Sequence, residues 1–395
     1  MVKLIRQNRT NEKGAALLVV LFVVMAATVL SIGFLSKADS ELASGSNFIV
    51  RTQMDSVAQS GLEHAKALLS NPQTVDTSVL DYWTGGTGLQ IESGDDYYDV
   101  TVTRDATTAA YEYVYDITSE AYRLNGSDKV GRSNVQGRLR LHPVIAYWQH
   151  DSQTISTAMT INGSTYVWSD CRLDGTVNGD AYAAGQIYGT GTLNGSEHEY
   201  EADPLDLPGL SSSDYQMSYY YDGGGAYSVT SIANSYTGSF ASAGMNNPAK
   251  VYYCSGDLAL TDIVGTIQGT IVVSSNLRIS SGCSFTIDPV KNMPALIVGD
   301  EIHIEGSDQS IAINGLVQVA DHIDMLGKTN VQFQVDGAMY LLSDGIKNLW
   351  GSGSSVTVTA DPVAASVEIW SSTENSRLWS PVGGAVFEAI SRPMP

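Results

Sequence analysis

An uninterrupted apolar run opens the hydrophobic pattern. Residues 15–35 read AALLVVLFVVMAATVLSIGFL, 21 residues without a charged side chain. As a helix rising 1.5 Å per residue this run is about 32 Å long, enough for a bilayer core of about 30 Å. Lys37 closes it, and Lys3, Arg6, Arg9 and Lys13 precede it against one acid, Glu12. A basic flank on that side keeps the N-terminus cytoplasmic and puts the rest of the chain outside the inner membrane. Further on, Val50, Met54, Val57, Gly61, Ala65 and Leu68 recur at steps of three and four, one apolar stripe on a helix. Asn71-Pro72 ends it, because proline disfavours helix in the residue before it. The expectation is a single helix over residues 15–70, about 84 Å long. Gly61 and Ala65 are small enough for a sheet to lie close. The other reading is a membrane helix and a separate soluble helix, joined through Ser44-Gly45-Ser46.

After Pro72 the period changes to two. Tyr98, Val100 and Val102 alternate with Asp99, Thr101 and Thr103. Tyr111, Tyr113, Tyr115 and Ile117 alternate with Glu112, Val114, Asp116 and Thr118. Residues 121–124 run into Asn125-Gly126, a hairpin turn signal, and Val135, Leu139 and Leu141 mark a further strand. Three or four antiparallel strands need cover for their apolar face, and the outer half of the long helix supplies it. The tyrosines read as half-buried strand residues.

The second half repeats itself. Thr160-Ile161-Asn162-Gly163-Ser164, Thr176-Val177-Asn178-Gly179-Asp180 and Thr192-Leu193-Asn194-Gly195-Ser196 follow one another at intervals of 16, and Tyr166 and Tyr182 share an offset. Equal spacing of strand-plus-turn units predicts coils of a β-solenoid, each bending at the same corner. A looser series, residues 251–359, places Ile302, Ile323 and Ile346 at steps of 21 and 23. There residues 296–306, 316–327 and 338–351 echo one another, as in a parallel β-helix. Residues 201–247, with Pro204, Pro208 and Gly223 to Gly225, read as a loop or an excursion from the solenoid.

The expected fold class is α+β followed by all-β. A basic leader occupies residues 1–14, and one helix has a membrane part (15–36) and an outer part (37–72). A small antiparallel sheet (73–145), solenoid repeats (146–200), a loop-rich insertion (201–250) and further repeats (251–365) follow. A C-terminal cap or tail (366–395) contains Trp370 and Trp379. Covered solenoid ends are expected, because open ends expose strand edges: the sheet would cover one and the tail the other.

Composition narrows the function. The 395 residues carry 21 Lys plus Arg against 42 Asp plus Glu, a formal net charge of −21. That balance opposes nucleic-acid binding, which needs a cationic surface. An apolar fraction of 43% opposes wholesale disorder. Three cysteines exclude a disulfide-rich scaffold or a cysteine-based zinc array. In an oxidising compartment Cys254 and Cys283, 29 apart, are the nearest candidate disulfide, with Cys171 left over; burial as small apolar residues is the other reading.

The junction Lys13-Gly14-Ala15-Ala16-Leu17 resembles the leader junction of type IV pilin-like proteins. There a short basic leader ends in glycine directly before the apolar helix. The stretch GAALLVVLFVVMAATVLSIGFLSKADSELASGSNF is similar to the PilX-type minor pilins and to the large tip pseudopilins of type II secretion. The resemblance implies cleavage between Gly14 and Ala15 by a prepilin peptidase, methylation of Ala15, and packing of the helix among sister pilin-like subunits. It covers about 55 residues and is silent on the rest. Major pilins carry glutamate at mature position five, which pairs with a neighbour's N-terminal amine; Val19 stands here. A buried charge left unpaired is costly, so Val19 suits a tip or priming subunit. Ala15 also stands where phenylalanine is commoner. The rival readings are an uncleaved signal anchor and a secretory signal peptide. The latter has a shorter apolar run and a small-residue cleavage site, and no such site follows Leu35.

No phrase for a nucleophile elbow, a zinc protease or a phosphate loop occurs, and the expectation is no enzyme activity. The candidate cluster is Asp300, Glu301 and His303 beside Asp321, His322 and Asp324. If Ile302 and Ile323 stack, Glu301 lies by His322, His303 by Asp324 and Asp300 by Asp321. That is either a metal or acid–base site, or a solvated ladder of complementary pairs. Calcium at acidic loops such as Asp95-Asp96 has no assignable ligand set. The reading that results is a structural minor pilin or pseudopilin subunit, acting in priming or at the tip of a type IV pilus or secretion pseudopilus. It is anchored in the inner membrane. The alternatives are a membrane-anchored solenoid adhesin that binds a surface glycan, and a solenoid hydrolase.

Overall fold

The computed structural model describes residues 10–71, 82–91, 94–108, 112–221, 225–237, 240, 244–290, 292–369 and 377–391. Residues 1–9 of the expected leader, Pro72, Tyr111, Gly223, Gly224 and Trp370 lie outside them.

One helix runs unbroken from Thr10 to Ser70, 61 residues and about 92 Å at 1.5 Å per residue. Ser44, Gly45 and Ser46 do not interrupt it. Its last third packs on the sheet through Met54, Ala58, Leu62, Ala65 and Leu69, all buried, with Val50 and Val57 at the margin. The apolar stripe is therefore broader than the sequence pattern indicated: Ala58 and Leu62 join it, and Leu69 rather than Leu68 is the buried leucine. Gly61 is where the sheet comes nearest. A Cβ there would stand 2.1 Å from Ser119 Oγ and 3.0 Å from the Tyr98 ring. One turn later the Tyr98 hydroxyl meets His64 Nδ1 at 3.0 Å.

Five antiparallel strands form that sheet, in the order Gly85–Leu89, Asp96–Arg104, Tyr113–Asn125, Asp128–Leu141 and Ala385–Ser391. Tyr98, Val100, Val102, Tyr113, Tyr115, Ile117, Val135, Leu139 and Leu141 are all buried, as the alternation predicts. The hairpin turn sits one residue later than the Asn-Gly signal. Asn125 pairs with Asp128, so Gly126 and Ser127 are the central residues. Gly126 alone of these two has positive φ (64°), the arrangement of a loop with glycine in its first central position. The fifth strand is a correction to the expected tail. Residues 385–391 do not close the solenoid; they return to pair with Asp128–Leu141, and Glu388 binds Arg140.

The solenoid is a parallel stack, and its register confirms both repeats. Thr160, Thr176 and Thr192 stand in line, as do Ile161, Val177 and Leu193. Ile302, Ile323 and Ile346 stack in the same way. Inward residues such as Ile161, Val177, Ile302, Ile323 and Val335 are buried in a continuous core.

The connection between the two series was not expected. The chain enters in the middle of the stack, where Ile145–Gln149 pairs with Ser164–Val167 on one side and with Met339 to Leu341 on the other. The 16-residue coils grow outward from there. Residues 201–221 then run along the outer face, and the chain rejoins the column at the opposite end, where Thr230–Ser231 pairs with Val251–Cys254. The later coils stack back until Ser355–Ala360 pairs with Met159–Asn162. The two series thus form one column. The insertion is a strap rather than a free loop: Leu205, Leu210, Tyr215 and Tyr219 bury against Tyr166, Tyr253, Ile297 and Tyr340 on the outer face. Trp148 Nε1 donates to Asp203 on this strap (2.8 Å), and Trp379 Nε1 donates to the Asp206 carbonyl (2.6 Å).

The turn asparagines explain the 16-residue phrase. Asn194 Nδ2 donates to Asn178 Oδ1 (2.6 Å), Asn178 Nδ2 to Asn162 Oδ1 (2.8 Å) and Asn162 Nδ2 to Thr359 Oγ1 (3.2 Å). The ladder crosses the junction between the two series. Asn178→Ala removes two of its rungs and leaves a half-buried acceptor and a donor without their mates, so it is expected to cost about 1–2 kcal/mol. Thermal unfolding of the full chain checks this; an unchanged midpoint would assign the ladder no weight.

Candidate functional site

Two regions stand apart from the requirements of the fold. The first is the N-terminal part of the helix. Leu17, Phe22 and Phe34 are 75%, 73% and 72% exposed, and the described part of the chain brings nothing within 4 Å of a Cβ placed on Gly33 or Gly45. The segment is long and apolar enough to cross a membrane. In hydrocarbon an unbroken helix satisfies its own backbone hydrogen bonds, whereas an open segment would not. Gly14 and Ala15 lie within the helix, and Val19 is 62% exposed on it.

The second is a corner of the solenoid where consecutive coils stack acids and imidazoles. Glu301 precedes the strand Ile302–Ile304, and Asp321-His322 precedes Ile323–Asp324 one coil away. The Ile302 and Ile323 register brings Glu301 to His322, as the spacing predicts, with Nδ1 3.7 Å from Glu301 Oε1. The same Nδ1 is 3.2 Å from Asp321 Oδ2. His303 is opposite Asp324 in the strand register, but its Nε2 turns to Glu301 Oε2 at 2.8 Å. Asp324 is engaged otherwise: its Oδ1 accepts from the Leu326 N–H and from Asn348 Nδ2, both at 2.8 Å. Asp300 contributes its carbonyl to the Asp321 N–H (3.0 Å) and is outside the group whose ligand atoms converge, Glu301, Asp321 and His322. Burial alone would push the Asp321 carboxyl up. The neighbouring His322, Lys347 and Ser343 outweigh it and hold the group below its ordinary range. Lys347 is itself paired with Asp344 at 2.7 Å.

Sequence reasoning missed a second stack of rings. Position 198 continues the 166–182 offset, and there His198 lies flat on Tyr182, ring centres 4.3 Å apart. The Tyr182 hydroxyl meets His142 Nε2 at 3.1 Å, which ties the sheet to the solenoid. The interval of 16, carried one step further, was the signal.

The three cysteines are free and buried, so Cys254 and Cys283 are unbonded in the structure. Their sulfurs donate weakly to the carbonyls of Asp257 and Leu260, each at 3.5 Å. Burial pushes the Cys171 thiol up to about 12 and raises the other two, which leaves little thiolate for chemistry.

No protein-family model matches the chain, and no curated protein matches it. Among solved structures, the competence-associated pilin ComZ from Thermus thermophilus is similar at 10% identity and a TM-score of 0.28, over 87% of this chain and 97% of that one. Values this low leave the helix and the solenoid themselves to carry the functional argument.

Proposed function

We propose that the protein is a membrane-anchored, pilin-like structural subunit without catalytic activity, whose solenoid stands on the extracytoplasmic side. One observation carries this reading. The 61-residue helix runs from an exposed apolar segment, residues 15–35, through an exposed and more polar stretch, residues 36–49, into an outer third packed on a sheet. A simple tether needs only the length of the bilayer. Here the helix leaves the apolar run and continues without a joint into the folded domain, so that force on the helix moves the whole head as one body. Sister helices from other subunits are the natural cover for such a surface once it leaves the lipid.

The Gly14-Ala15 junction supports processing by a prepilin peptidase on the cytoplasmic side. Val19, in the place where a repeating subunit needs a carboxylate, supports a priming or tip position and low copy number. Mass spectrometry of the native membrane protein tests the reading. The expected chain begins at methylated Ala15. A chain beginning at Met1 would make the helix a signal anchor, and one beginning past Leu35 would make it an export tag; either result ends the proposal.

A further inference from the structure

We propose that Glu301, Asp321 and His322 form a binding site for a divalent transition-metal ion, zinc being the best fit to a donor set of one imidazole and two carboxylates. His322 is 6% exposed, and its Nδ1 has no hydrogen-bond partner among the described residues. That atom is not remote from acceptors: Asp321 Oδ2 is 3.2 Å away and Glu301 Oε1 3.7 Å. Glu301 is beyond hydrogen-bond reach of Nδ1, and Asp321, though near enough to attract the ring electrostatically, is poorly aligned with it. A buried polar nitrogen left this way costs about 1–3 kcal/mol, and a metal ion would remove that cost by taking up the nitrogen lone pair.

The spacing fits such an ion. In a tetrahedral zinc site with bonds of about 2.0–2.1 Å, neighbouring ligand atoms are about 3.4 Å apart. The two distances from Nδ1 bracket that value, and all three ligand atoms lie within 4.8 Å of one another. A calcium ion would ask for six or more oxygens, and an imidazole nitrogen suits it poorly. His303 completes the arrangement from outside. Its Nε2 is 2.8 Å from the second oxygen of Glu301, the outer hydrogen bond that commonly fixes a ligating carboxylate. Glu301 and Asp321 remain partly exposed, so the ion has a route in and a fourth position open to water. Lys347 is the competing cation, and Asp344 already holds it.

The rungs come from two successive coils, so an ion here would bind one coil to the next at the solenoid corner. The test is zinc binding to the full-length, untagged protein in detergent, stripped with a chelator and titrated calorimetrically at neutral pH. One zinc per chain with micromolar or tighter affinity is expected. Glu301→Gln and Asp321→Asn should each weaken binding at least tenfold, and His303→Gln about tenfold through the lost outer contact. His198→Gln, on the ring stack with Tyr182 and away from this corner, should leave binding unchanged. Cobalt in place of zinc should give the intense visible bands of a four-coordinate ion. Unfolding curves of each variant without metal separate lost binding from lost folding. Absence of stoichiometric zinc on the wild-type chain would overturn the proposal. So would unchanged affinity in folded Glu301→Gln and Asp321→Asn, or loss of binding in His198→Gln alone.

Discussion

Gly337→Ala is expected to destabilise the solenoid by on the order of 3 kcal/mol or more. The strands Gln309–Val319 and Val331–Leu341 lie in register over their whole length, with Gly315 opposite Gly337. Both glycines have positive φ, 120° and 152°. A Cβ on Gly337 would stand 2.2 Å from the Gly315 carbonyl oxygen, 2.6 Å from its carbon and 2.8 Å from its Cα. These are backbone atoms in the middle of a stack, and no rotamer change moves them. The strands would have to separate where Val335 and Ala338 are wholly buried. Gly88→Ala is the control. Gly88 also has positive φ (65°), but nothing lies within 4 Å of the added carbon. It should cost only the backbone strain, about 1–2 kcal/mol. Thermal unfolding of the two variants beside the parent checks the difference. Equal midpoints for Gly337→Ala and Gly88→Ala would mean that the coils are not packed at the spacing described.

Local features were legible in the sequence, and distant pairings were not. The helix followed from an apolar run and a stripe at steps of three and four, and the strands of the sheet followed from alternation. The 16-residue phrase announced its own stacking because every coil needs the same corner, and Asn162, Asn178 and Asn194 fill that corner with one continuous ladder. What the sequence hid was the order of the coils. Pairing of Val356 to Thr359 with Met159 to Asn162 joins segments about two hundred residues apart, and parallel pairing leaves no mark beyond apolar residues, which every coil has. The strap was hidden for a related reason. Leu205 and Leu210 sit on irregular backbone, and Tyr215 and Tyr219 on a single 3-10 turn and a three-residue strand, all too short for a helix or strand period to show. The final strand escaped because it lies at a sheet edge with Val386 and Ile390 exposed.

At the candidate site the same division holds. The 21-residue step from Ile302 to Ile323 was enough to bring Glu301 to His322. It could not say that His303 would choose Glu301 over Asp324. That choice depends on Asp324 being held by a turn N–H and by Asn348 from the following coil. Nor could spacing show that Lys347, stacked beyond Asp324, would be occupied by Asp344. Backbone register is set by repeats; side-chain partners are set by what each neighbour already binds.

Met25→Asp and Met54→Ala are expected to act on separate properties, although both lie on one helix. Met25 is 59% exposed in the middle of the apolar run, whereas Met54 is wholly buried against the sheet. An aspartate at the centre of a membrane helix costs about 2.5–3.5 kcal/mol of insertion, which is roughly a hundredfold in partition. Since Met25 touches no part of the outer domain among the described residues, unfolding of that domain should change by less than about 0.5 kcal/mol. Met54→Ala should do the reverse. It opens a cavity beneath the sheet and costs about 2–5 kcal/mol of domain stability, while the apolar run and its membrane retention stay as they were. Carbonate extraction of membranes reads retention, and thermal unfolding in detergent reads the domain. Domain destabilisation by Met25→Asp, or membrane loss in Met54→Ala, would show that the two parts of the helix are not independent. The proposed assembly role requires that independence: drawing such a subunit out of the bilayer would change the surroundings of Met25 completely. The contacts of Met54 must survive that transfer if the solenoid is to arrive folded.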